Sequence, residues 1–138
     1  MNELVRRQAA TQMTMARYRG KAADWRTGIT CLHLARFHLK QMGHKVPTIP
    51  RIRSEFAAVR EMKKRGWSNV AEMLDATLLR ITPAQMLMGD LAVVRSTDGI
   101  GAILVCAGPR KLLGWREDAP EMVTLDVTLD QLDGAWRT

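Results

Sequence analysis

The feature that most limits what this chain can fold into is a change of period at Asp90. Up to Gly89, apolar residues return every three or four positions; after it they come in short runs separated by glycine turns. The first pattern buries one stripe of a helix and the second buries strands. Helices first and antiparallel strands afterwards specify an α+β fold, with N-terminal helices and a small antiparallel sheet. At 138 residues the sequence is read as one domain, mainly helical over 1–89 and mainly strand over 90–138.

In the helical half, residues 3–18 form a helix whose apolar side is Leu4, Val5, Ala9, Met13 and Ala16, stopped at Gly20. A loop through Trp25 and Gly28 leads into a helix over 29–42, with Ile29, Leu32, Ala35, Leu39 and Met42 inward and Gly43 as its stop. Pro47 and Pro50 keep 44–50 extended. Residues 51–65 make a basic helix, Phe56, Val59 and Met62 turning inward while Arg53, Arg60 and Lys64 line the outside. Ser68 or Asn69 caps a helix over 70–79 that buries Met73, Leu74 and Leu78. Strands are expected at 91–94, 103–106, 111–115 and 122–127, with a short C-terminal turn that packs Trp136 back.

Charge is distributed unevenly. Residues 1–66 carry 15 Lys/Arg against 4 Asp/Glu, net +11, and residues 67–138 carry 6 against 10, net −4. Solvated helix faces account for such asymmetry; it also suits docking to an acidic neighbour, contact between copies, or a nucleic-acid surface. The aromatic residues are few and none interleaves with the Lys63-Lys64-Arg65 run, so nucleic acid is not the expected partner. No apolar run approaches the roughly 20 residues of a membrane span, so no membrane insertion is expected. The first residues lack a secretory signal, which places synthesis in cytoplasm with reduced thiols at Cys31 and Cys106.

Chemistry centres on Thr30-Cys31, at the start of the second helix. Unpaired N–H groups and the helix dipole there favour a thiolate. A thiol nucleophile also needs a base about 3 Å away. His33 points roughly 200° from Cys31 around the helix, and His38 lies about 10 Å along its axis. His44 lies beyond the stop and is unconstrained. Thr30 and His33, three apart, can touch. No metal-ligand spacing and no phosphate loop occurs, so neither metal nor cofactor is expected. Glu117-Asp118 reads as a solvated loop and Asp24 as a turn former. Trp25, Trp115 and Trp136, with Arg53, Arg60 and Lys64, are the candidate interface residues.

Asp24-Trp25, Gly28 and Thr30-Cys31 on a helix start, then Gly89-Asp90 before a hydrophobic strand and hairpin, and a closing Ala135-Trp136-Arg137, resemble a family of small bacteriophage and prophage tail-gene products. That family is distantly related to NlpC-type, papain-like cell-wall peptidases, and the likeness runs from about Arg17 to Thr138. The resemblance implies a papain-like architecture, a Cys at the helix start and a His at the beginning of the second core strand. The sequence departs from this pattern twice. The thiol register falls on Thr30, with Cys31 one step late, and the His position falls at Gly101-Ala102; no His follows His44.

The resulting expectation is a non-enzymatic structural protein of a phage tail tip or hub. It would be made in the host cytoplasm, carried in the virion, and bound to other tail proteins or to further copies of itself. The alternative is a phage-encoded cysteine endopeptidase acting on peptidoglycan, with Cys31, Thr30 and His44 as the only catalytic candidates.

Overall fold

The computed structural model describes residues 2–116 and 119–138; Glu117-Asp118 lie outside the described residues. The order is α1 (Glu3–Tyr18), α2 (Cys31–Gln41), α3 (Glu55–Lys64), α4 (Val70–Asp75), β1 (Leu79–Ile81), β2 (Leu91–Val94), β3 (Ala102–Gly108), β4 (Lys111–Arg116), β5 (Ala119–Asp126) and β6 (Leu132–Arg137). The helices start where side chains cap them. Asn2 accepts from the Val5 N–H, Thr30 from His33, Ser54 from Ala57, and Asn69 from Glu72. Ser54 therefore starts α3 later than the basic run suggests, and 51–53 stay outside it.

The strands form one antiparallel sheet in the order β1-β6-β2-β3-β4-β5, so the fold is α+β with helices preceding the sheet. Alternation sorts its side chains. Leu91, Val93, Ile103, Val105, Leu113 and Trp136 pack with Leu34, Ala35, Leu39, Met62 and Leu74 from the helices. Ala92, Leu104, Cys106 and Leu112 point to the other face. There they meet Leu125, Val127 and Leu132, the last two flanking the connection from β5 to β6.

Two elements correct the sequence reading. The helix expected over 70–79 ends at Asp75, and Leu79–Ile81 instead become β1. The C-terminal turn is a strand: β6 lies between β1 and β2, pairing Leu79 with Arg137 and Leu91 with Trp136. Trp136 is fully buried, its Nε1–H donates to Asp75 Oδ1 at 2.8 Å, and the Arg80 guanidinium lies 4.8 Å from its ring centroid. Gly134 fits beneath this stack because a Cβ there would meet Arg80 Nη2 at 2.6 Å and the Trp136 ring at 2.9 Å.

The faces of two helices also differ from expectation. α1 buries Arg7, Ala10, Thr11, Thr14 and Tyr18, while Leu4 (67% exposed), Val5, Ala9, Met13 (54%) and Ala16 face outward. α3 buries Ala58 and Met62, which leaves Phe56 on the opposite side at 72% exposure.

The α1 inversion has a polar cause. Asp90 is fully buried, and its Oδ1 accepts from Arg7 Nη1 at 2.9 Å and from the Thr138 N–H at 3.0 Å. Its Oδ2 accepts from the Leu87 N–H at 2.8 Å and pairs with Arg137 Nε at 3.3 Å. Beside it, His38 Nε2 bonds the Gly89 carbonyl at 2.7 Å and its Nδ1 meets Thr14 Oγ1 at 2.7 Å. The polar side of α1 goes inward because its partners are already there.

Removing one member of a buried pair leaves the other charge uncompensated. Asp90→Ala should lower unfolding stability by about 3–5 kcal/mol, measured as a reduced urea midpoint at unchanged slope.

Candidate functional site

The loop before α2 is built by its own backbone. The Asp24 N–H donates to the Ile29 carbonyl at 2.6 Å and Ile29 returns a bond at 2.9 Å, while Asp24 Oδ1 accepts from the Arg26 N–H at 2.9 Å. Gly28 takes φ +75°, and a Cβ there would press on the His33 ring at 3.3 Å. The turn ends at Thr30 in extended backbone, and Cys31 is the first residue of α2.

Thr30 is buried, and its hydroxyl works as the cap. Oγ1 accepts from the His33 N–H at 3.3 Å and lies 2.8 Å from His33 Nδ1. Burial, followed by the Arg36 charge, pushes the His33 pKa down and favours the neutral ring. The contact suggested by their spacing does form.

Cys31 is half-buried and sits on the wall of a half-open cavity of about 910 Å³. Trp25 and Thr30 line the same cavity, as do Glu55 of α3, Asp98 of the β2–β3 hairpin, Ala102 at the start of β3, and Trp115. Burial pushes the Cys31 thiol up; the Ile103 backbone N–H opposes this, and the negative charge of the Asp98 and Glu55 pair adds to it. This is the reverse of an activated thiol. No histidine lines the cavity. The second-strand position, where the resemblance calls for an imidazole, is held by Gly101 and Ala102. Gly101 takes φ +87°, and a Cβ there would stand 2.8 Å from Val93 Cγ1.

His38 and His44 are engaged elsewhere. His38 is fully buried between Thr14 and Gly89. His44 lines a separate, mainly apolar cavity of about 210 Å³ with Leu39, Val46, Trp67 and Leu78. Cys31 and Thr30 thus share a wall, and His44 does not join them.

Of the tryptophans expected at an interface, Trp25 alone stays half-exposed beside the cavity. Trp115 and Trp136 belong to the core, which corrects their assignment. Trp115 stacks edge-on against Tyr18 with centroids 6.0 Å apart, and its Nε1–H donates to the Lys21 carbonyl at 2.8 Å. Arg53, Arg60 and Lys64 are exposed.

The sequence reading missed the acidic rim. Asp98 was legible only as half of an Asp-Gly turn. A hydrogen bond shared with the Glu55 carboxyl holds the Asp98 carboxylate below its usual range, aided by the Ser96 hydroxyl and the Ile100 N–H. Among the described residues no group of His, Cys, Asp and Glu is arranged to hold a metal ion, and no helix is long and apolar enough to cross a membrane.

A helical layer on one antiparallel sheet, with a thiol at a helix start in a half-open cavity, defines an α+β domain with a cysteine-lined cleft. The chain belongs to the family described as a domain of unknown function (DUF6950), which it matches over residues 3–138. No curated protein matches it.

Burial pushes the His38 pKa down from 6.5 to about 4, against the pull of its bond to Gly89. Between those values the unfolded chain binds a proton that the native chain does not, so stability falls as pH drops through that window. The full contribution, up to about 3 kcal/mol, is present above pH 6.5 and lost below about 4. A series of thermal melts should show this slope, and His38→Gln should flatten it between pH 6.5 and 4.

Proposed function

We propose that this chain is a non-enzymatic structural component of a bacteriophage tail, at the tip or hub, built on an NlpC-like scaffold that has lost its catalytic pair. The phage assignment rests on the resemblance carried by Asp24-Trp25, Gly28, Thr30-Cys31, Gly89-Asp90 and Ala135-Trp136-Arg137. The observation that carries the loss of catalysis is the surroundings of Cys31: a thiol raised by burial, facing backbone N–H and carboxylates, in a cavity that no histidine lines. General-base activation has no base there. The cavity then serves as shape for recognition rather than for bond cleavage.

One contact favours the alternative of a cell-wall peptidase, the Thr30 hydroxyl on His33 Nδ1. Its hydroxyl is buried and already caps α2. Among the described residues no third side chain bonds the far nitrogen of His33, so the pair lacks the orienting partner of a working dyad.

Purified protein incubated with muropeptides should release no fragments, and Cys31→Ala should change nothing. Iodoacetamide should alkylate Cys31 at pH 7 more slowly than it does free cysteine, accelerating only in the alkaline range. The chain should also co-purify with intact phage particles. Fragment release abolished by Cys31→Ala would establish the peptidase instead, and absence from the particle would remove the tail assignment.

A further inference from the structure

The outer face of α3 is used by neither the cleft nor the core. Ala58 and Met62 fix which side of this helix is buried. Residue 56 lies about 200° from Ala58 around the helix, and residue 60 faces the same way. Phe56 therefore stands outward at 72% exposure, with the Arg60 guanidinium 5.9 Å from its ring centroid. Arg53, Lys63 and Lys64 extend the same exposed face. Among the described residues, no ion pair reaches Arg53, Arg60, Lys63 or Lys64, whereas Arg65 is paired with Glu61 at 3.1 Å. From Phe56 to Lys64, eight helical steps, this makes a stripe of about 12 Å with Arg53 just ahead of the helix, a single apolar ring set among cations.

The chain has little of its own to cover such a stripe. Glu3, Glu61, Asp75, Asp90, Asp126 and Asp133 are already in ion pairs. Asp24, Glu72 and Asp98 accept backbone N–H groups. Among the described residues, Glu121 and Asp130 are then the acidic side chains of a second copy that no ion pair or side-chain bond engages, two against the four cations of the stripe, which favours a charge complement from another molecule. Phe56 is the only exposed aromatic residue among those described. Single-stranded nucleic acid uses successive aromatic platforms. One aromatic anchor inside a charged rim is instead the pattern of a protein interface.

We propose that the outer face of α3 is a docking surface for an acidic, amphipathic segment of a partner protein. Carboxylates of that segment meet Arg53, Arg60, Lys63 and Lys64, and apolar side chains between them pack on Phe56. The surface is separate from the Cys31 cleft and does not depend on whether that cleft is catalytic.

The full chain is tested by fluorescence anisotropy against three labelled probes. These are a 16-residue peptide of alternating Glu-Glu-Leu-Leu units, a Glu-Glu-Ser-Ser peptide of equal charge, and a 16-nucleotide oligo(dT). The Glu/Leu peptide is expected to bind tightest, with the Glu/Ser peptide at least tenfold weaker. Its affinity should fall about tenfold in Phe56→Ser and further in the Arg60→Glu, Lys64→Glu double variant, and should weaken as salt rises. Circular dichroism should be unchanged in both variants, because the replaced side chains are exposed. Equal binding of the two peptides, insensitive to Phe56→Ser, would reduce the face to a non-specific cationic surface. Tighter binding of oligo(dT), lost in Phe56→Ser, would make it a nucleic-acid surface. A dimer in sedimentation that Phe56→Ser dissolves would make the partner a second copy. Absence of peptide binding at low salt would end the proposal. Muropeptide cleavage is read in a separate assay, so either result can fail without the other.

Discussion

The Asp90 carboxylate gathers parts of the chain that are far apart in sequence. Arg7 reaches it from α1, the Leu87 N–H from the turn before β2, and Arg137 and the Thr138 N–H from the C-terminus. A carboxylate with no solvent exposure is tolerated only when nearly all its acceptor positions are filled, and here they are. This demand fixes the side of α1 that faces inward and keeps the end of β6 between β1 and β2. The neighbouring Gly89 carbonyl extends the network, accepting from His38 and from the Thr138 hydroxyl. The layer of helices and the middle of the sheet are thus tied by polar contacts as well as by apolar packing.

That network has a consequence for the cleft. α2 is anchored at one end by His38, in the buried cluster, and at the other by the Thr30 cap. Two of the three histidines are held within this scaffold, His33 against Thr30 and His38 against Thr14. The Cys31 sulfur is left at the junction of α2 with β3, in a cavity it shares with Asp98, Glu55 and Ala102 and under the Ile103 backbone N–H. Each of these either leaves the neutral thiol undisturbed or favours it, apart from the backbone N–H groups of Ile103 and of Cys31 itself. The geometry is that of a cleft whose thiol stays protonated, with Trp25, Glu55 and Asp98 on its walls.

Much of this was legible locally. The bounds of α1, the cap Asn69 and the run of β2 follow from periodicity, capping chemistry and turns, all of which act over a few residues. By contrast, α2 starts two residues later than the expected 29, at Cys31 behind the Thr30 cap. The cleft could be read in part. The placement of Cys31 on a helix start and the Thr30–His33 contact come from spacing alone. Its other walls are contributed by α3 and the hairpin, so Glu55 and Asp98 could not be found by any pattern around the thiol.

The amino-acid sequence by itself determined that helices come before most of the strands, the α+β class and the absence of a histidine beyond His44, because these depend on local pattern and on composition. Only the tertiary structure decided which side of each helix is buried. A helix carrying apolar residues on several sides has no unique inward face until its neighbours are known, and for α1 those neighbours were Asp90 and His38. Tertiary pairing also made strands of 79–81 and 132–137. Leu-Asp-Gly-Ala-Trp-Arg has no strand signal of its own, and it becomes β6 because β1 and β2 supply hydrogen bonds on both sides.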